Sequence, residues 1–289
     1  MEFLTLVNSL NLSSLAPEGV ILVAILIILI IDLLFDLKNT SFSLWLGGGS
    51  LLLAAFLLVF NFSKPEQIAF LGSFHQDALT SAFSIFFVLS GFISLILSFQ
   101  FFRLTSSFFS EFTIFLLTAT LGCMFLASAN DLLMVFISLE TLGFSSYLMA
   151  AYLKQERITN EASLKYLLTG SASSGIFLYG LSWLYGISGG HLELNYLAAS
   201  LINTNLVNSE IIWISFLLIL VGLGFKLSLV PFHQWAPDVY QGVPTPVTAF
   251  LSVSSKAAGF ALTLKICNLL FPFFFLEWNF IFQLMAILK

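Results

Sequence analysis

The chain has 289 residues, 59% of them hydrophobic and only 9% charged, with a mean hydropathy of +1.02 and a formal net charge of −5. Soluble proteins carry about 25% charged residues, so too little polar surface exists here to clothe a globule in water. The solvent is lipid, and no nucleic-acid partner is expected.

Apolar runs of about 20 residues, as a hydrocarbon core of about 30 Å requires, recur along nearly the whole chain. Alternating ten-residue strand patterns do not, which favours helices over a β-barrel. Crossings are expected over 17–36, 42–62, 78–101, 110–128, 131–153, 162–187, 210–242 and 244–267, with the beginning of a ninth at 277–289. The first run starts beside Glu2 and Glu18 without Lys or Arg, so it reads as a retained span and not a secretory signal. Gly47–Gly49, inside an apolar run with no strand before it, reads as close helix packing and not as a phosphate cradle. Cys123 and Cys267 form no CxxC, which excludes a disulfide framework or a four-thiolate cluster within the chain. No nucleotide fingerprint occurs, so no redox cofactor is expected in this chain. The polar connection 188–210 is amphipathic in its middle and suits the membrane surface.

Basic residues alternate between loops: Lys38, Arg103, Lys154 and Arg157 on one side, Lys64 on the other. That bias places the N-terminus outside.

The 210–242 stretch is roughly 50 Å long at 1.5 Å per residue, too long for one straight crossing. Pro231 lacks an N–H and its ring collides with the carbonyl of Leu227, while Val230 is pushed away from helical angles. A discontinuous helix is expected, with a first half ending near Ser228, a short turn, and a second half through "FHQWAPDVY". Pro244 and Pro246 then start the next helix, where proline is tolerated. Broken backbone at membrane depth survives only beside protein or a water-filled cavity.

Charges at helix centres cost about 2.5–3.5 kcal/mol each on insertion scales. Glu140, Lys226 and Lys256 sit near the middle of three different crossings, and a row across the bundle is expected. Burial favours the neutral forms of such groups and opposite charge favours the ionised ones, so the two forms lie close in energy. Proton transfer is the chemistry this suits; gluing helices together is the plainer use of a buried Glu–Lys pair. Lys165 either snorkels or serves as a relay step, and His233, just after the break, is either a packed residue or a bridge to the aqueous side. Lys265 is expected to snorkel, Asp238 to pin the second half-helix, and Trp235 and Trp278 to anchor at the interface.

"FISLETLGFSSYLMAAYLK", "NEASLKYLLTGSASSGIFLYGLSWLYG" and "GFKLSLVPFHQWAPDVYQGVPTPVTAFLSVSSKAAGFAL" resemble subunit 2 of the photosynthetic NAD(P)H–plastoquinone oxidoreductases of cyanobacteria and chloroplasts. More distantly they are similar to the antiporter-like subunits of respiratory complex I and of Mrp-type antiporters. The resemblance covers essentially the whole chain. It implies an all-α polytopic bundle of about eight to nine transmembrane helices, with 1–108 as three N-terminal helices. Residues 109–267 would be the first of two inverted five-helix repeats, and 268–289 the start of a truncated ninth helix. By the same resemblance Glu140, Lys226 and Lys256 form the proton relay and Lys165 is the lysine of the sixth helix. The partners implied are other membrane-arm subunits in a thylakoid membrane, with the N-terminus lumenal. The cofactors implied belong to the complex: plastoquinone, iron–sulfur clusters, and NAD(P)H or ferredoxin as donor. A stand-alone cation/proton antiporter and a structural half-subunit without pumping activity are the alternatives.

Overall fold

The computed structural model describes residues 11–35, 40–62, 64–105, 109–203 and 210–288; Lys38, residues 204–209 and the Arg103 side chain lie outside them. The helices are α1 (Ala16–Phe35), α2 (Thr40–Asn61), α3 (Ala78–Thr105), α4 (Phe109–Ser128), α5 (Leu132–Ala150), α6 (Arg157–Ile187), α7 (Leu194–Asn203), α8 (Glu210–Leu227), α9 (Trp235–Gly242), α10 (Thr245–Leu269) and α11 (Phe275–Ile287). Between α2 and α3 lies a short antiparallel hairpin, β1 (Gln67–Ala69) and β2 (Phe74–Gln76), with Ile68 opposite His75.

Seven of these helices, α1 to α5, α8 and α10, are long and apolar enough to cross a membrane. The protein is a polytopic helical membrane protein. At 31 residues α6 has the length of a crossing, but its Arg157, Glu161 and Lys165 and the small, polar run Thr169–Gly175 lower its apolarity. The amphipathic stretch expected near a membrane surface is α7.

In the middle stands α4, touched by α1, α2, α3, α5 and α10. Helices gain little from apolarity alone in lipid, so close approach through small residues supplies the packing. A Cβ on Gly91 of α3 would sit 2.5 Å from Thr120 Cγ2, and one on Gly47 of α2 would sit 2.9 Å from Thr113 Cγ2. Gly47 and Gly48 are packing glycines as expected, whereas Gly49 faces open space. Hydroxyls on these helices are satisfied by carbonyls one turn back: Ser98 to Ser94, Thr113 to Phe109 and Ser146 to Leu142 are examples.

At the hairpin end the backbone is tied across elements. Asn130 donates its backbone N–H to Ser73 O and its side-chain amide to Gly72 O, and Leu132 N–H reaches Leu192 O. Lys265 does not snorkel. Its ammonium donates to Ala127 O at 3.1 Å and Ala129 O at 2.6 Å, capping the C-terminal end of α4 from a different helix. Lys265→Met should therefore lower thermal stability by about 1–3 kcal/mol, since two carbonyls lose a charged donor. Thermal unfolding of the detergent-purified protein checks this, and an unchanged midpoint would argue against the cap.

Candidate functional site

The break in the long apolar stretch is built by three devices. First, α8 ends at Leu227 and Ser228 adopts φ 55°, the left-handed conformation. Leu229 N–H then bonds Gly224 O at 2.8 Å and Ser228 N–H bonds Phe225 O at 3.0 Å. This is a Schellman cap with serine where glycine is usual, and it stops the helix three residues before Pro231. Second, residues 228–234 are all non-helical, so the turn is longer than the sequence suggested and α9 starts only at Trp235. Third, Trp235 is a wedge. It is 7% exposed, and its indole N–H donates to Phe225 O at 3.1 Å. Its ring stacks on Tyr166 at 4.8 Å and lies 4.9 Å from the Phe225 ring. Trp235 is thus a buried filler of the break and not an interface anchor: it is enclosed, and its N–H is a second donor to Phe225 O beside the Ser228 N–H.

Lys226 occupies the last turn of α8, where the half-helix dipole concentrates negative partial charge. It is 7% exposed, and among the described residues its ammonium has no hydrogen bond and no ion pair within 4 Å. It lines a cavity of about 20 Å³ with Leu139, Gly143, Tyr147, Ser173 and Phe177, room for about one water. Glu140, half-buried on α5, is the carboxylate whose field reaches both Lys226 and Tyr147. Tyr147 leans over Gly170 of α6, where any Cβ would overlap its hydroxyl, and meets the Tyr166 ring edge-on at 4.7 Å.

Lys256 follows a π-helical turn, Leu251–Ser255, inside α10. Such turns are rare and often mark functional sites. Here the turn aims Lys256, which is half-buried, over the Tyr240 ring with Nζ 5.3 Å from its centroid. It also presents Ser254 O to the Cys123 thiol of α4 and Ser254 Oγ to Ser90 Oγ of α3. Gly259, one turn beyond Lys256, takes the stem of Lys226: a Cβ there would lie 3.0 Å from Lys226 Cγ. Glu140, Lys226 and Lys256 are therefore brought to one region by α5, α8 and α10.

Lys165 is not part of that cluster. It is exposed on α6 and pairs with Asp238 at 2.7 Å and Glu161 at 2.9 Å, so Asp238 ties α9 to α6 as a pinning residue should. His233 is half-buried in the turn, its Nδ1 enclosed and without a hydrogen-bond partner among the described residues. Sequence reasoning put the break near Ser228 without foreseeing its left-handed cap, and gave no place to Tyr240 beneath Lys256 or to the Cys123 contact with Ser254 O. Only the run of prolines near Tyr240 hinted that its surroundings were irregular.

Residues 129–289 match the family described as "NADH:quinone oxidoreductase/Mrp antiporter, TM", and residues 3–100 match "NAD(P)H-quinone oxidoreductase subunit 2 N-terminal". Over its full length the chain is 48% identical to "NAD(P)H-quinone oxidoreductase subunit 2, chloroplastic" of Mesostigma viride, covering 58% of that protein. It is 44% identical over its full length to "NAD(P)H-quinone oxidoreductase subunit 2" of a Nostoc strain, covering 56% of it. A chain of respiratory complex I from Thermus thermophilus superposes with a TM-score of 0.73 at 32% identity, over 86% of this chain and 52% of that one. A chain of an archaeal membrane-bound sulfane sulfur reductase shares the fold, with a TM-score of 0.72 at 23% identity, over 87% of this chain and 52% of its own. The chain spans a little over half the length of the curated relatives it matches. With a family match over more than half its length and a broken helix holding a buried lysine, it belongs to the NADH:quinone oxidoreductase/Mrp antiporter transmembrane family.

Proposed function

We propose that the chain serves a proton-translocating membrane-arm subunit of a complex I-like NAD(P)H- or ferredoxin–plastoquinone oxidoreductase, residing in a chloroplast or cyanobacterial thylakoid membrane with its N-terminus lumenal. Its part is the proton path. Electron transfer and plastoquinone reduction belong to partner subunits that hold the iron–sulfur clusters.

The observation that carries this reading is Lys226, buried at the end of a half-helix with no ion-pair partner among the described residues, beside a cavity sized for water and in the field of Glu140. A lysine used as glue has a carboxylate or carbonyl in its grasp, as Lys265 and Lys165 do. Among the described residues Lys226 has its charge held by dipoles and a more distant carboxylate, so protonation and release are both within reach. Glu140 modulates that balance, Lys256 is the next proton acceptor, and His233 and the Lys165–Asp238 pair stand on the approach from the α9 end. Residues 109–267 act as one five-helix repeat of the antiporter-like fold, with 1–108 packed against it.

Purification in mild detergent tests the assignment. Co-migration with a large complex that oxidises NAD(P)H or ferredoxin and reduces plastoquinone is expected. A free homodimer exchanging Na⁺ for H⁺ in liposomes would instead establish a stand-alone antiporter, and an assembled complex that pumps normally without this chain would make it structural.

A further inference from the structure

We propose that the groove between α1 and α5 is a binding site for one neutral lipid of the leaflet on the hairpin side. A hydroxyl-bearing headgroup meets Ser73 and Asp131, and the tail lies along α4. The groove shares no lining residue with the Lys226 cavity, so the site is separate from the proton path.

Both α1 and α5 pack on α4, and a groove of about 710 Å³ runs between them. Its walls are apolar: Leu22 and Ile25 from α1, Leu121 and Phe125 from α4, Leu133 and Ile137 from α5. Leu22, Leu133 and Ile137 are about half exposed, so the groove opens sideways to the hydrocarbon. Ser73 and Phe74 of the hairpin stand at one end, beside Leu15 and Asp131, which immediately precede α1 and α5. From there the lining follows both walls inward, Leu15 to Ile25 and Asp131 to Thr141. At 1.5 Å per residue each wall is about 15 Å long, half of a hydrocarbon core of about 30 Å. The groove has the depth of one leaflet. A partner's crossing helix needs a seat about twice as long, so the length suits a lipid tail and not a helix.

Polar groups on the lining are sorted by depth. Thr118, Ser138 and Thr141 donate to Ile114 O, Met134 O and Ile137 O on their own helices, which leaves the deep part apolar. Two groups at the hairpin end keep free capacity among the described residues. The Ser73 hydroxyl makes no hydrogen bond there, although the backbone of Ser73 is fully engaged. Asp131 is 8% exposed; one carboxylate oxygen accepts from Met134 N–H and the other has no donor. A largely buried carboxylate oxygen without a donor is costly, and a headgroup hydroxyl supplies one while accepting from Ser73. Among the described residues no Lys, Arg or His lines the groove. A phosphate would therefore face Asp131 with no cation to offset the like charge. The headgroup that fits is uncharged and hydroxylated, as a sugar is.

The test uses the protein purified in mild detergent with the subunits that accompany it, washed of native lipid and reloaded with photoreactive probes. One probe is a glucosyl diacylglycerol with a diazirine in its tail; the other is phosphatidylglycerol with the same tail. The sugar lipid should label segments 15–25 and 133–141, mapped by peptide mass spectrometry, at least about tenfold more than phosphatidylglycerol does. Leu22→Trp and Ile137→Trp fill the groove from its open side, and each should abolish that labelling. Asp131→Asn keeps a good N-cap and removes the charge, so phosphatidylglycerol should then label as strongly as the sugar lipid. Equal labelling by both probes in the unaltered protein, or labelling that survives both tryptophans, is that of bulk lipid and overturns the site. No labelling of these segments overturns it too, and unchanged selectivity in Asp131→Asn overturns the headgroup assignment. Should a variant not assemble, a density map of the unaltered protein decides. A tail between α1 and α5 with its headgroup at Ser73 and Asp131 supports the site, and a partner's helix in that place overturns it.

Discussion

Replacing Lys226 with Met in the assembled complex should stop coupled proton translocation while leaving the complex assembled. Methionine matches the length and apolar stem of lysine, so the contact with Gly259 and the lining of the 20 Å³ cavity persist. What disappears is a buried charge with no ion-pair partner among the described residues, whose insertion costs about 2.5–3.5 kcal/mol. Stability should therefore hold or rise, which separates this variant from one that merely misfolds. Lys226→Arg sharpens the test. The guanidinium retains the positive charge, but it does not release a proton at any pH the protein meets, and it is bulkier than the cavity admits. Both variants should reduce proton uptake, followed with a pH dye in liposomes, to below about a tenth of normal, as expected when a positioned proton carrier is removed. Pumping by Lys226→Met at the normal ratio would show that the proton passes elsewhere.

The second large effect is expected far from any charge. Gly122 of α4 faces the backbone of α5: a Cβ there would lie 2.7 Å from Leu142 N and 3.0 Å from Leu142 Cα. Backbone atoms of a helix cannot step aside as a side-chain tip can, so Gly122→Ala must push two helices apart. Overpacking of this kind costs about 1–3 kcal/mol, and Gly122→Val should cost more. Leu142 is two residues from Glu140, so the displacement also moves the carboxylate whose field reaches Lys226. The prediction is a graded loss, Val worse than Ala, in both membrane abundance and protons per electron. Equal abundance and pumping in all three proteins would show that α4 and α5 are free to separate. Gly19, with nothing near its missing side chain, is the matched control, and Gly19→Ala should be silent.

Much of the architecture was legible because lipid imposes it. Seven runs read as crossings are helices fit to cross, and the break was placed at Ser228 because a 33-residue apolar run containing Pro231 has no unbroken solution. Glu140, Lys226 and Lys256 stood out because charge in hydrocarbon needs a reason. The shape of the break was not legible. Its helix ends in a Schellman cap, and the usual flag for that cap, a glycine, is a serine here. Lys265 looked like a snorkelling residue because its sequence position gives depth alone. Its partners, Ala127 O in the last turn of α4 and Ala129 O just past its end, lie more than a hundred residues earlier. Trp235 misled for a related reason. Its composition suits an interface, but the cut helix leaves a gap that the ring fills against Tyr166 and Phe225, with its indole N–H donating to Phe225 O. The packing of Tyr147 over Gly170 follows only once α5 and α6 are side by side. Sequence thus showed where polar groups are out of place, and tertiary structure showed what each one faces.

The π turn at Leu251–Ser255 bears on how this helix is matched to others. A π turn is in effect one extra residue accommodated within a helix, and each α-helical residue turns the chain by about 100°. Every side chain after Ser255 is consequently rotated by about that angle from where an uninterrupted helix would carry it. Any helix lacking the turn should align with α10 only if a one-residue gap is opened within 251–255. Without the gap, residue counting would pair Lys256 with a position on the wrong face, and a lysine present in both helices would look like a loss in one and a gain in the other.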